Sequence, residues 1–280
     1  MERIRKYQKK LNSEYQELLD VAVSAALKAG KILRELYDNP HSVRFKGEID
    51  LVTEADIASE KAILSLVKDK CPQIEVMAEE SSAHNTDSIS SRTWIIDPLD
   101  GTTNFAHGCP WFCVSIALWN RDHIELGVVY LPLQNELFYA VKGAGTCLND
   151  RNINVSSTSS LNHSLLATGF PYDVREKPDL VMPAFKDMIL KAQGVRRAGA
   201  AALDLAYVAA GRFDGFWEIK LKPWDTAAGM LLVEEAGGRV TDFANNSYTP
   251  FLKEILASNS LIHGDMVAVL KKYSLVTTNE

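Results

Sequence analysis

Apolar side chains recur at helical spacing between residues 13 and 38, with Leu18, Ala22, Ala25 and Ile32 or Leu33 on one face. Ser13 with Gln16 reads as a capping box at the start, and Asn39-Pro40 stops the helix. A second helix begins near Thr53 with the capping box Thr53-x-x-Asp56. Ile57, Leu64 and Val67 are expected to face inward, and Cys71-Pro72 ends it. The rhythm then shortens to that of strands, at 74–78 and 94–96. Residues 114–119, 124–131 and 136–141 follow as an antiparallel meander joined by short polar turns, until Gly143 and Gly145 break the run.

Beyond about residue 155 the two periods alternate. Strands are expected at 165–168, 213–218 and 238–243, and helices at 179–192, 199–210, 225–236 and 265–273. This mixture predicts α/β or α+β layers. Repeats, low-complexity tracts and long linkers are lacking, so no domain boundary shows in the composition.

Composition changes the picture by exclusion. The chain has 280 residues, 46% hydrophobic and 24% charged, which are globular proportions. Its net charge of −6 leaves no basic footprint for nucleic acid. The N-terminal cations Arg3, Arg5, Lys6, Lys9 and Lys10 read as a solvated helix start. No apolar run approaches the ~20 residues that span a bilayer, and the N-terminus is a poor signal peptide. Cys71, Cys109, Cys113 and Cys147 form no disulfide framework. A reduced, soluble, cytoplasmic protein is expected.

Three strings carry candidate chemistry. In Trp94-Ile-Ile-Asp97-Pro98-Leu99-Asp100-Gly101-Thr102-Thr103-Asn104-Phe105, an apolar strand runs into two carboxylates stiffened by a proline, followed by what looks like a helix entry. Free N–H groups at such an entry suit an anion. Carboxylates beside them make sense when hard cations such as Mg²⁺ lie between. The second string, Ala78-Glu79-Glu80-Ser81, ends a short strand with acids that suit metal ligation or orientation of a water. The third, Pro223-Trp224-Asp225-Thr226-Ala227-Ala228-Gly229, places Asp225 at a helix start that Gly237-Gly238 later closes. Each has a simpler structural account: an Asx-turn, a solvated turn and an N-cap, respectively. Asp56 reads first as part of its capping box, and second as a partner for a hydroxyl such as that of Thr102.

Other signals carry less. His107, Cys109 and Cys113 lack a second pair at zinc-finger spacing and read as core cysteines. No Walker A string, dinucleotide fingerprint or G-x-S-x-G elbow exists. Trp111-Phe112 and Phe216-Trp217 are expected in the core.

Together the three strings resemble the inositol monophosphatase family of lithium-sensitive, Mg²⁺-dependent phosphatases. Residues 94–105 match its first signature nearly letter for letter, with Leu99 where Ile is commonest. Trp224, Asp225, Ala227, Ala228, Gly229, Glu235, Ala236, Gly237 and Gly238 match its second. The E-E-S element and the D-x-V-T-x-x-D element at residues 50–56 stand in family order, and the likeness runs from about residue 15 to 270.

The resemblance implies a layered α-β-α-β-α sandwich, one phosphatase domain of two packed halves (about 1–152 and 153–280), and a homodimer. It implies two to three Mg²⁺ per site. Glu79, Asp97 and the Leu99 carbonyl correspond to ligands of the first, and Asp97, Asp100 and Asp225 to ligands of the second. Glu79 also serves a third ion through water. Thr102, with Asp56 as partner, corresponds to the hydroxyl that helps activate the attacking water. Asp100, Gly101 and Thr102 lie on the phosphate side, and Gly199, Ala201 and Glu218 on the polyol side.

The expected reaction is hydrolysis of a phosphate monoester of a polyol, with myo-inositol 1-phosphate the leading substrate. Fructose 1,6-bisphosphate, histidinol phosphate and the 3′-phosphate of adenosine bisphosphates are the alternatives that the signatures share. The segment Ile219-Lys-Leu-Lys-Pro223 departs from the animal enzymes' pattern near the polyol. A metal-binding protein acting only through protein contacts would be expected to lack one of Glu79, Asp97, Asp100 or Asp225, and all four are present.

Overall fold

The computed structural model describes residues 4–37, 43–45, 51–81 and 91–275. Arg3, the helix stop at Asn39-Pro40 and Asp50 lie outside them. A short helix α1 (Arg5–Gln8) precedes α2 (Ser13–Tyr37), and strands β1 (Val43–Phe45) and β2 (Leu51–Thr53) pair antiparallel. Helix α3 (Glu54–Lys70) leads to β3 (Glu75–Ala78), β4 (Thr93–Asp100) and the five-residue α4 (Thr102–Ala106). Then come β5 (Cys113–Asn120), β6 (His123–Leu131), β7 (Glu136–Val141), β8 (Thr146–Leu148) and β9 (Arg151–Ile153). The remainder is β10 (Leu165–Thr168), α5 (Met182–Ile189), β11 (Gly194–Arg196), α6 (Ala201–Ala209), β12 (Gly215–Ile219), α7 (Pro223–Glu235), β13 (Arg239–Thr241), β14 (Glu254–Ser258) and α8 (His263–Leu270).

Strands β3 to β9 form a seven-stranded sheet in sequence order, parallel only between β3 and β4. The second sheet has the order β11-β10-β12-β14-β13. Alternation along the strands sends side chains to both faces of the first sheet. Trp94 and Ile96 join the core shared with α2 and α3, whereas Ile95 joins the core between the sheets. Helices α6 and α7 fill that inter-sheet layer, and α5 and α8 cover the outer face of the second sheet. The expected five layers, helix, sheet, helix, sheet, helix, are therefore present.

Several expectations change in detail. The α2 cap is Asn12, whose Oδ1 accepts the Tyr15 N–H at 2.9 Å; Ser13 is already inside the helix. Gln16 instead donates to the carbonyls of Leu11 and Gln8. The Thr53–Asp56 capping box of α3 is formed as expected. Ile57, however, is 51% exposed, because the inward face of α3 runs through Asp56, Ser59, Glu60, Ile63 and Val67. Leu64 is half-buried. Lys6, Lys9 and Lys10 face solvent, but α1 also buries Ile4 and Tyr7. Trp111 is 44% exposed rather than core, unlike Phe112, Phe216 and Trp217, and Cys109 is half-buried, unlike the other three cysteines. Strand β14, absent from the sequence expectations, lies between β12 and β13 and pairs antiparallel with both.

Small residues set the layer spacing around α7. A Cβ on Gly127 of β6 would stand 2.8 Å from the Ala228 carbonyl oxygen, and one on Gly229 would meet the Leu205 side chain of α6 at 2.5 Å. Helix α7 ends in a Schellman motif: Gly238 and Gly237 donate to the Val233 and Glu234 carbonyls, with Gly237 at φ 86°. Gly127→Ala forces α7 off the sheet and is expected to cost about 1–3 kcal/mol. Gly264→Ala, at an open helical position, is expected to be neutral or stabilising. Urea midpoints of the two variants check this; equal midpoints would show that α7 does not depend on the close approach.

Candidate active site

The site begins with an irregularity in β4. In a regular strand Asp97 and Asp100, three residues apart, would point to opposite faces. Asp97 lies opposite Ser115 and Asp100 opposite Cys113, so β4 takes three steps where β5 takes two. Ser115 and Cys113 share a face, and Asp97 and Asp100 therefore do too. The extra residue falls at Pro98-Leu99, where Pro98 has no N–H to give to the ladder. Its carbonyl accepts from Ser59 Oγ at 2.7 Å, and the Leu99 N–H donates to Asp97 Oδ1 at 2.9 Å. The strand predicted at 94–96 thus runs on, bulged, to Asp100.

Other elements bring further groups to the same face. Asp225 is not the N-cap of α7 but its third residue, and its Oδ2 accepts the Lys222 N–H at 2.7 Å. Ser115 Oγ donates to the Trp224 carbonyl at 3.2 Å and ties that helix start to β5. Glu79 follows β3, and its N–H extends the β3–β4 ladder to the Ile96 carbonyl at 3.2 Å. Asp100 Oδ2 accepts the Ala202 N–H at 2.7 Å, at the start of α6.

Glu79, Asp97, Asp100 and Asp225 line one cleft of about 430 Å³, together with Leu99, Gly101, Thr102, Gly199, Ala201 and Glu218. Every expected site residue except Asp56 is on its wall. Asp56 stands behind, holding Thr102: Thr102 Oγ is 2.9 Å from Asp56 Oδ1 and 3.1 Å from the Leu99 carbonyl. Asp56 Oδ2 accepts from the Thr53 N–H and hydroxyl at 2.7 and 2.6 Å. Gly101 takes φ 93°, and a Cβ there would stand 2.8 Å from the Trp111 carbonyl oxygen. Helices α4, α6 and α7 all begin at the cleft, and the Ala202 and Lys222 N–H groups at the starts of α6 and α7 bond Asp100 and Asp225.

Electrostatics give the site its character. Burial, then the charges of Glu79, Asp100 and Asp225, push the Asp97 carboxyl well above the ordinary range. Burial, then Glu79 and Asp100, does the same to Asp225. Asp100 is pushed up to about 6 by burial, with the N–H groups at the start of α6 opposing. Glu218 is pushed up to about 8 by burial, against the pull of Arg197. No lysine or arginine is among the main influences on Asp97, Asp100 or Asp225. Among the described residues, no three His, Cys, Asp or Glu side chains are already closed around a metal position. The donor set is nonetheless all oxygen, mutually repelling and short of cations, which fits a hard divalent ion such as Mg²⁺.

Three contributors escaped the sequence. Gly169 packs its backbone on Glu218: a Cβ there would lie 2.1 Å from Glu218 Oε2. Asn104, inside the first signature, donates to the Trp111 and Ala198 carbonyls at 2.6 and 2.8 Å and so holds the wall that carries Gly199. Asp204 is buried on α6, and burial with Glu218 and Asp100 raises its carboxyl well above the usual range. An acid inside the run Ala-Ala-Leu-Asp-Leu-Ala was the available signal for Asp204. For Gly169 there was none without the β10–β12 register.

Raised carboxyl pKa values mean that the folded chain keeps protons which the unfolded chain has released. Stability therefore falls as pH rises from the unfolded value toward the folded one. For Glu218 that window runs from about 4.3 to 8. His263, held near 4 by burial, acts in the opposite sense but only below about 6.5. In EDTA, Tm is expected to fall between pH 6.5 and 8, and Glu218→Gln to flatten the fall. A Tm that is constant or rising over that range in the unsubstituted protein would contradict the assignment.

Comparison with known proteins agrees with this geometry. The model of the inositol monophosphatase family matches residues 14–275. An inositol-1-monophosphatase of Synechocystis is 44% identical over 92% of this chain and 90% of its own length. The Nus factor SuhB of Salmonella typhimurium is 42% identical over 91% of this chain and 96% of its own. The crystal structure of the extragenic suppressor protein suhB from Bartonella henselae superposes with a TM-score of 0.84 at 42% identity, covering 91% of this chain and 98% of that one. Signatures, layered fold and full-length likeness converge, and the chain belongs to the inositol monophosphatase family of phosphatases.

Proposed function

We propose that this protein hydrolyses a phosphate monoester of a polyol, with myo-inositol 1-phosphate as the leading substrate. The observation that carries the reading is one cleft whose wall holds Glu79, Asp97, Asp100 and Asp225, short of cations, together with Glu218. Glu79, Asp97, the Leu99 carbonyl, Asp100 and Asp225 would hold Mg²⁺, two to three ions per site. Bound there, Mg²⁺ supplies a water of lowered pKa and charge stabilisation for the leaving oxygen.

The chain's own part is positioning. Glu79 and Thr102 orient the attacking water, and Asp56 fixes the Thr102 hydroxyl from behind. Gly101 and Thr102, at the start of α4, offer N–H groups to the phosphate. Glu218, with Gly199 and Ala201, faces the polyol hydroxyls. No side chain is required as a covalent nucleophile. Lithium sensitivity and a homodimer belong to the same reading and rest on the resemblance; a cytoplasmic location rests on the composition and cysteine usage. Among the described residues no helix is long and apolar enough to cross a membrane.

A second reading stands beside this one, because several relatives are named Nus factor SuhB. It is a Nus-factor role alongside catalysis, which Asp225→Asn would separate by retaining it in a complementation assay.

Phosphate release at several millimolar Mg²⁺ tests the main reading. The panel is myo-inositol 1-phosphate, fructose 1,6-bisphosphate, histidinol phosphate and adenosine 3′,5′-bisphosphate. Inositol phosphate is expected to give the highest kcat/KM. Asp225→Asn is expected to abolish turnover while keeping the fold, and Thr102→Val to lower kcat by about 10²-fold or more. Wild-type-like turnover in Asp225→Asn would overturn the ligand assignment. Preference for another substrate would overturn only the polyol assignment.

A further inference from the structure

Helix α3 carries a row of polar side chains on the face that it buries. Asp56, Ser59 and Glu60 stand at i, i+3 and i+4, on one side of the helix. They are 0%, 0% and 5% exposed, where apolar residues would be the ordinary choice. Each reaches a different segment of the site. Asp56 holds the Thr102 hydroxyl at 2.9 Å, Ser59 Oγ donates to the Pro98 carbonyl at 2.7 Å, and Glu60 Oε2 accepts the Glu80 N–H at 2.9 Å. The first two contacts serve residues already placed in the site. The third has no role in the reaction as described.

Its location gives it one. Glu79 lies just past the last β3–β4 pair, Ala78 with Ile96. Its own N–H is the last to reach β4, at the Ile96 carbonyl. The next N–H along the chain, that of Glu80, is the one that Glu60 takes. The backbone of Glu79 is therefore pinned on both sides, by the strand before it and by α3 after it. A helix is stiff, so the bond ties the Glu79 corner to the same rod that holds the Pro98 bulge and Thr102.

We propose that Glu60 is a positioning residue for Glu79: it sets the Glu79 carboxylate relative to Asp97 and Thr102, and so sets divalent-cation affinity. The inference rests on the reading of Glu79 as a ligand. Glu60→Gln keeps an acceptor for the Glu80 N–H, whereas Glu60→Met keeps the length and removes it.

The experiment measures Mn²⁺ binding by electron paramagnetic resonance and the Mg²⁺ concentration for half-maximal phosphate release. Wild type, Glu60→Gln, Glu60→Met and Glu79→Gln are compared. Glu60→Met is expected to weaken both by about 10-fold or more, with kcat at saturating Mg²⁺ changed far less. Glu60→Gln is expected to stay within about threefold of wild type. Equal behaviour of the Gln and Met variants, or a Met variant with lowered Tm and unaltered Mn²⁺ binding, would overturn the proposal. If Glu79→Gln also leaves Mn²⁺ binding intact, the ligand reading itself fails; if Glu79→Gln weakens it and Glu60→Met does not, only the Glu60 inference fails. Should Glu60→Met not fold, amide exchange at Glu80 decides: protection in wild type supports the contact, and free exchange overturns it.

Discussion

Buried like charges set the terms for everything around the cleft. Asp97 and Asp100 are buried and Asp225 is half-buried beside them; loss of water, and at Asp97 and Asp225 also the neighbouring carboxylates, makes each resist ionisation. The structure responds in the same way three times. Asp97 accepts the Leu99 N–H, Asp100 the Ala202 N–H and Asp225 the Lys222 N–H. One carboxylate oxygen is thus fixed by backbone in each case, which orients the side chain without neutralising it. A lysine or arginine in their midst would have neutralised the charge and occupied the space. Backbone dipoles hold the acids in place and leave the cluster in want of cations, which is the condition a metal site requires.

That arrangement dictates the architecture at the sheet junction. The β4 bulge turns Asp97 and Asp100 to one face, and only an irregular strand does this for residues three apart. The same face looks into the layer occupied by α6 and α7, whose first turns supply the Ala202 and Lys222 N–H groups. Both helices must come close. Gly127 against Ala228 and Gly229 against Leu205 permit it. The far end of α7 is held as firmly: Glu235 accepts the Gly143 and Gly145 N–H groups at 2.8 Å each, and Gly145 in turn accepts from Tyr7 of α1. Contacts remote from the cleft therefore fix the direction of the helix that carries Asp225.

Much of this was legible in the residues. The meander of β5 to β7, the α3 capping box and strand β10 appear as their patterns imply, because each is a local signal with a local cause. The signatures bring Asp97, Asp100 and Asp225 forward as residues but say nothing of their geometry. Periodicity ended the strand at Ile96, since a proline and two acids read as a turn; the bulge is fixed by the Ser115 and Cys113 register, which only tertiary pairing supplies. Ile57 was misplaced for a related reason. An apolar count turns α3 toward Ile57, whereas its buried face is chosen by the polar work of Asp56, Ser59 and Glu60. Strand β14 was missed although β13, the strand before it in the chain, is one of its partners; the other, β12, is reached only across α7 and is set by the sheet.

Two parts of the cleft wall differ in how they are built. Asp97, Asp100 and Asp225 are fixed by backbone hydrogen bonds, so their chemistry tolerates little variation. The part at Glu218 hangs on a single close approach. Glu218 lies against the bare backbone of Gly169, just past the neighbouring parallel strand β10, where any side chain would occupy the carboxylate's own space. Arg197 draws on Glu218 from the loop after β11, and Lys220, next in the chain after β12, pairs with Asp173 across the cleft mouth. These groups come from loops and strand ends, which change without disturbing the layers. In the proposed reading, phosphate hydrolysis is the property of the β4–α6–α7 junction, and the choice of alcohol is the property of the ends of β10 and β12 in the second sheet. One scaffold then accepts new substrates by altering the wall around Gly169 and Glu218, while the carboxylate cluster stays as it is.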